Sequence, residues 1–134
     1  MKLFGTLAAL ITIPLSVFGT PISISNGTNA VVGEAAADPF ITKVAVAEAI
    51  RNRGTLRGVY GFRASHNKRE PRWVWAEARA AWIQSIHTNL THGARFFGNL
   101  QDVRKGTFLG MTLTCIMPGR STDGHDSTYF FRDH

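Results

Sequence analysis

The sequence predicts an α+β domain, one N-terminal helix followed by antiparallel strands. Three observations carry that expectation. Asp38-Pro39 ahead of the Ala- and Val-rich run Phe40–Arg53, closed by Gly54, has the start and stop signals of a helix. Residues 107–117 alternate Leu109, Met111, Leu113 and Cys115 with Thr112 and Thr114, the period of a half-buried strand. Residues 127–132, with Tyr129, Phe130 and Phe131, follow the turn signal Asp123-Gly124 and read as a returning strand.

Taken in order, residues 1–19 (MKLFGTLAALITIPLSVFG) place the single charge of Lys2 before an apolar stretch ending in small residues. This is the layout of a secretory signal peptide, with cleavage expected near Gly19/Thr20. Pro14 breaks the stretch, which is short for a bilayer span of roughly 20 residues. Residues 20–37 are rich in Ser, Gly, Asn, Thr and Ala without a steady period. They predict a flexible arm with room for one short strand around 30–32. The domain proper is residues 38–134, opened by Asp38 as N-cap and Pro39 as first helical residue. Gly54, Gly58 and Gly61 then predict a strand or loop over 59–62 and a basic loop up to Glu70. Residues 72–86 are ambiguous: Trp73-Val74-Trp75 favours a strand, and Ala76-Glu77-Ala78-Arg79-Ala80-Ala81 favours a helix. Residues 94–100 read as a short apolar strand.

Composition narrows the function classes. With 44% apolar and 18% charged residues in 134, the chain is neither a disordered tail nor a multi-span membrane protein. Fifteen Lys+Arg against nine Asp+Glu give +6, and +5 once the segment with Lys2 is removed, so anionic partners are favoured. The single Cys115 excludes an intramolecular disulfide and any zinc site built on paired cysteines. Export to an oxidising compartment leaves two states for its thiol, burial as a small hydrophobe or a bridge between chains, and burial is the expected one. Asn26-Gly27-Thr28 and Asn89-Leu90-Thr91 are glycosylation acceptor patterns, making Asn26 and Asn89 candidates. No metal or cofactor site is expected.

The segment order resembles that of small secreted fungal guanyl-specific ribonucleases, minimal ribotoxins, and the RNase-like effectors of powdery mildews. The matching segments span nearly all of the mature chain. They are Ser65-His66-Asn67-Lys68 followed by Arg72-Trp73-Val74-Trp75, then Trp82-Ile83-Gln84-Ser85-Ile86, then His92-Gly93-Ala94-Arg95 with Phe96-Phe97. Gly110-Met111-Thr112-Leu113-Thr114 and the aromatic Tyr129-Phe130-Phe131 complete the series. The resemblance implies a helix packed on a curved antiparallel sheet whose open face carries the site, and it tips residues 72–86 toward strands. The alternating pattern points Thr114 to the polar face, where a ligand-face residue belongs.

In that family a glutamate, assisted by a histidine, is the base, a second histidine is the acid, and an arginine holds the phosphate. Carried over by position, His66 and Arg95 remain, Ile83 replaces the carboxylate, and Thr114 replaces the terminal histidine. Losing an acid or base costs on the order of 10² to 10⁴ in rate, so the resemblance implies a degenerate site. The cations Arg63, Lys68, Arg69, Arg72 and Arg95, with His66 and Trp73, are candidate contacts to single-stranded RNA, by phosphate pairing and base stacking. The expectation is a secreted, monomeric virulence effector. It would act as an RNase-like pseudoenzyme that binds host RNA or a host protein, has no integral membrane association after signal removal, and is a candidate for delivery into host cells. The alternative is an active ribonuclease or ribotoxin using His66, Arg95 and a displaced histidine, His87 or His92.

Overall fold

The computed structural model describes residues 21–133, so the predicted signal segment 1–19 lies outside the described residues. The α+β class holds, with three long helices rather than one ahead of a three-stranded antiparallel sheet. None of these helices is long and apolar enough to cross a membrane.

Helix α1, Ile24–Ala35, occupies the segment expected to be a flexible arm. Ser23 caps it, its hydroxyl accepting the Asn26 N–H at 3.1 Å. Small side chains are the reason the helix exists here and the reason its period is faint. Gly27, Ala30, Val31 and Ala35 are buried, and a Cβ on Gly27 would stand 2.1 Å from the Trp82 ring. The helix trades intrinsic propensity for close approach to its neighbour.

Helix α2, Phe40–Arg53, is the predicted one, and its interior is buried on every side from residue 42 to 50. A helix buried all round has no amphipathic stripe to read. Gly54 ends it in the left-handed conformation (φ 76°), donating its N–H to the Ile50 carbonyl at 3.0 Å. The start differs from expectation. Pro39, not Asp38, is the N-cap, and its carbonyl accepts the N–H groups of Thr42 and Lys43. The Asp38 carboxyl is left free of capping duty.

Residues 59–62 form turns, with Val59 and Phe62 N–H bonded back to the Leu56 and Val59 carbonyls, rather than a strand. A 3-10 turn, Ser65–Arg69, follows. Residues 72–84 then settle the ambiguity against strands as helix α3, Arg72–Gln84, entered through Pro71. Val74, Ala78, Ala81 and Trp82 recur at helical spacing and are its buried residues. Alanine propensity and this stripe outweigh the local strand preference of the two tryptophans. A second 3-10 turn, Ser85–His87, completes it, held by the Arg51 guanidinium on the Trp82 carbonyl and the Ser85 hydroxyl at 2.7 and 2.6 Å.

The sheet has the order β1-β3-β2, with β1 Phe96–Gly98, β2 Thr112–Met117 and β3 Thr128–Arg132. Strand β1 is shorter than the predicted 94–100, because Asn99 caps a one-turn helix, α4, Leu100–Arg104. Phe130, fully buried, ties the sheet to the core of helices α1 to α3. Alternation in β2 fails at a bulge. Leu113 faces Phe131 and Cys115 faces Phe130, so Thr114 has no partner position and its hydroxyl donates to the Phe130 carbonyl. Leu109 lies outside the strand and is 88% exposed, so the expected apolar face is incomplete. Cys115 packs against the core, and burial pushes its thiol pKa up.

Two charged side chains are buried with partners. Lys43 joins α2 to α3 through Glu77 at 2.6 Å and also donates to the Asp38 carbonyl at 2.9 Å. Glu48 accepts from the Thr88 and Thr91 hydroxyls and from the Leu90 and Thr91 N–H groups, fixing the loop that carries Asn89. Asn89 is exposed there, and Asn26 is half-buried in the first turn of α1.

Candidate active site

A cleft of about 730 Å³ opens between the end of α1, the end of α2, the β1–α4 segment and the β2–β3 loop. Four of the nine carboxylates of this basic chain line it: Glu34, Asp38, Asp102 and Asp126. Concentrating acids in one cleft costs repulsion, so each carboxylate calls for a physical account.

Glu34 is placed by a close backbone contact. A Cβ on Gly33 would lie 1.9 Å from the Gly61 carbonyl oxygen, so the turn at 59–62 can touch α1 only because both residues are glycine. That contact brings the Gly61 N–H to Glu34 Oε1 at 2.8 Å. The bond fixes one carboxylate oxygen; the other has no partner among the described residues. The same turn puts Tyr60 on the cleft wall as a residue 92% exposed.

Asp38 follows α1 directly. Burial, with the Asp126 charge assisting and Lys43 opposing, pushes its carboxyl pKa up to about 6. Asp126 is held the other way. The Ser121 hydroxyl and the N–H groups of Ser121 and Arg120 donate to it, at 2.5, 3.0 and 2.8 Å, and these bonds lower its pKa. One cleft therefore holds a carboxyl whose pKa is pushed up beside one whose pKa is held down.

Asp102 has a structural duty, closing the capping box of α4 with Asn99. On the rim, His125 Nδ1 lies 2.5 Å from Asp123 Oδ1. Bonds from His125 to Asp123, its backbone N–H first, bring the Asp123 pKa down to about 2, and the His125 pKa rises in return. The wall opposite is aromatic, formed by Phe96, Phe97 and Phe108, the last stacked on Phe131 at 4.3 Å. Among the described residues no group of three or more His, Cys, Asp or Glu side chains is arranged to hold a metal ion.

The positions the ribonuclease resemblance pointed to lie elsewhere. His66 is exposed on the first 3-10 turn, Ile83 sits in the last turn of α3, Arg95 precedes β1, and Thr114 occupies the bulge of β2. They occupy three different elements and a loop, and no sheet face presents them together. Arg95 pairs with Asp133 at 3.3 Å instead. His87 ends the second 3-10 turn and His92 stands in the left-handed region (φ 52°); both are exposed. None of these residues lines the cleft.

Arg63, Lys68, Arg69 and Arg72 do gather, in one exposed stretch with Trp73, itself 62% exposed. Buried Asn67 makes that stretch firm, its amide donating to the Gly61 and Asn29 carbonyls and to Asn29 Oδ1.

Sequence reasoning missed Glu34, Asp38 and Asp126 as site residues. The available signal was slight: Glu34 and Asp38 are the only acids between residues 21 and 47, in a run otherwise small and apolar. No protein-family model, curated protein or solved structure matches the chain.

Proposed function

We propose that the cleft hydrolyses a glycan, with Asp38 as the acid and Glu34 as the base. The observation that carries this is Asp38, with its pKa raised to about 6, sharing one open cleft with Glu34, a carboxylate anchored through a single oxygen. Glycosidic hydrolysis asks for such a pair. Asp38 gives its proton to the leaving oxygen as the acetal C–O bond breaks. Glu34 takes a proton from water as the water oxygen bonds to the anomeric carbon. Burial holds the proton on Asp38, and the negative charge of Asp126 adds to it. The exposed Tyr60 ring and the phenylalanine wall suit the apolar faces of sugar rings. RNA fits this cleft poorly, because its scissile linkage is itself an anion and would meet four carboxylates. A glycosidic linkage is neutral.

The test is release of new reducing ends from a panel of polysaccharides by the purified chain. Activity that is present in wild type and lost in both Glu34→Gln and Asp38→Asn supports the assignment. Activity that survives in both variants refutes it.

One observation favours a second reading, a secreted effector that binds host RNA. The stretch 63–73 carries four exposed cations beside an exposed Trp73, and among the described residues none of the four forms an ion pair. Phosphate contacts with ring stacking would use that arrangement. Binding of single-stranded RNA that weakens steeply with salt and is lost in a Lys68→Ala/Arg69→Ala/Arg72→Ala variant would support it. Affinity that does not respond to salt would count against it.

A further inference from the structure

We propose that Arg53 is an anion-binding subsite of the cleft, selecting a glycan that carries a carboxylate substituent beside the linkage to be cut. This rests on the glycan reading above and goes beyond it by naming the substrate class.

Arg53 ends α2 and lines the same cleft as four carboxylates, yet among the described residues it forms an ion pair with none of them. A guanidinium serving only to neutralise those acids would be expected against one of them. The chain holds it elsewhere. Its Nη2 donates to the Arg57 carbonyl at 2.8 Å, and its Cζ stands 5.3 Å from the centre of the Phe96 ring. The turn is shaped around it as well. Gly58 is in the left-handed region (φ 82°), and a Cβ there would come within 2.5 Å of Arg53 Nη2. The Thr55 hydroxyl accepts the Arg57 N–H at 3.1 Å, fixing the carbonyl that receives Arg53.

One guanidinium donor is therefore committed and the cation sits over the Phe96 ring, which leaves other N–H donors to a ligand. A planar fork of this kind matches a carboxylate in two parallel bonds. The repulsion that disfavours RNA does not apply in the same way. In RNA the charge is on the reacting group itself, whereas in an acidic sugar it is on a neighbouring substituent that the Arg53 guanidinium can pair. Tyr60, two residues beyond Gly58, would then stack on the ring that bears the substituent.

The experiment uses the full chain with Asp38→Asn, so that binding is read without cleavage. Calorimetric titration compares a hyaluronan octasaccharide, which alternates N-acetylglucosamine with a uronate, with a chitin hexasaccharide, which lacks the carboxylate. The expected result is at least about tenfold tighter binding of the uronate probe. Adding Arg53→Met should bring the two affinities within about twofold. Adding Arg53→Lys, which keeps the charge and loses the fork, should give an intermediate ratio, and it serves if the methionine variant fails to fold by circular dichroism. Equal affinities in the parent, or a preference that persists in a folded Arg53 variant, overturn the inference and leave the glycan reading standing. Binding of neither probe, together with no reducing-end release from the polysaccharide panel, overturns both.

Discussion

The acidic cleft and the basic stretch 63–73 face solvent on the same small domain and are built in opposite ways. In the stretch, the cations are exposed and among the described residues none forms an ion pair; Arg63 lies over the Phe62 ring, and one buried amide, Asn67, is the anchor. In the cleft, every acid has a definite environment: Glu34 fixed by a backbone N–H, Asp38 pushed up by burial, Asp126 held down by three donors, Asp102 spent on a cap. Net charge reports the first region and conceals the second. A chain at +6 can carry its chemistry in a minority of carboxylates, because chemistry depends on perturbed protonation and charge alone does not supply it.

The comparison breaks most sharply at the carboxylates. Glu34→Gln or Asp38→Asn should lower glycan hydrolysis on the order of 10² to 10⁴-fold, measured as initial rate at saturating substrate. Removing the cations of the stretch should leave that rate within about twofold. A next, structural effect is expected at the contact that places Glu34. Gly33→Ala drives a methyl group into the Gly61 carbonyl, and chemical denaturation should show a loss of about 1–3 kcal/mol with activity reduced beyond what unfolding explains. On the basic side, each single Lys68→Ala or Arg69→Ala change should reduce the salt slope of RNA binding by about one, if that stretch binds RNA, while Asp38→Asn leaves the slope alone.

The smallest effect is the most diagnostic. The folded pKa of Asp38, about 6, lies above its ordinary 3.8, so the native state holds this proton more tightly than the unfolded chain. Its contribution is fully present below about pH 4 and is lost as pH rises through 6, which means the ionised residue destabilises the fold at neutrality. Asp38→Asn should therefore raise stability at pH 7 by about 1 kcal/mol, because the side chain is only partly buried and residual solvent screens part of the penalty. At pH 3.5 the gain should vanish. A substitution that stabilises the fold and abolishes turnover marks a residue kept for function.

Parts of this architecture were legible in the residues, and the illegible parts share a cause. Helix α2 announced itself through Gly54 and its terminal arginines, and β3 through its aromatics, because caps and turns are local signals. Helix α1 did not, since Gly27 and Gly33, which lower helix propensity, are there for contacts with Trp82 and Gly61 that lie 55 and 28 residues away. Trp73 and Trp75 look like strand residues until the stripe of Val74, Ala78 and Trp82 is seen to be buried. The bulge at Thr114 defeats simple alternation for the same reason: the register is set by β3, not by β2 itself. The site was hidden because Asp38-Pro39 also fits a helix cap and Asp126 also fits a turn. Only tertiary placement puts both in a cleft.

Protonation of Asp38 in the folded chain can be followed directly by carboxyl 13C NMR titration, in wild type and in Asp126→Asn. A wild-type midpoint near pH 6 that moves down once the Asp126 charge is gone is the predicted result. A wild-type midpoint near 3.8, unmoved by Asp126→Asn, would contradict the assignment of Asp38 as the acid of the cleft.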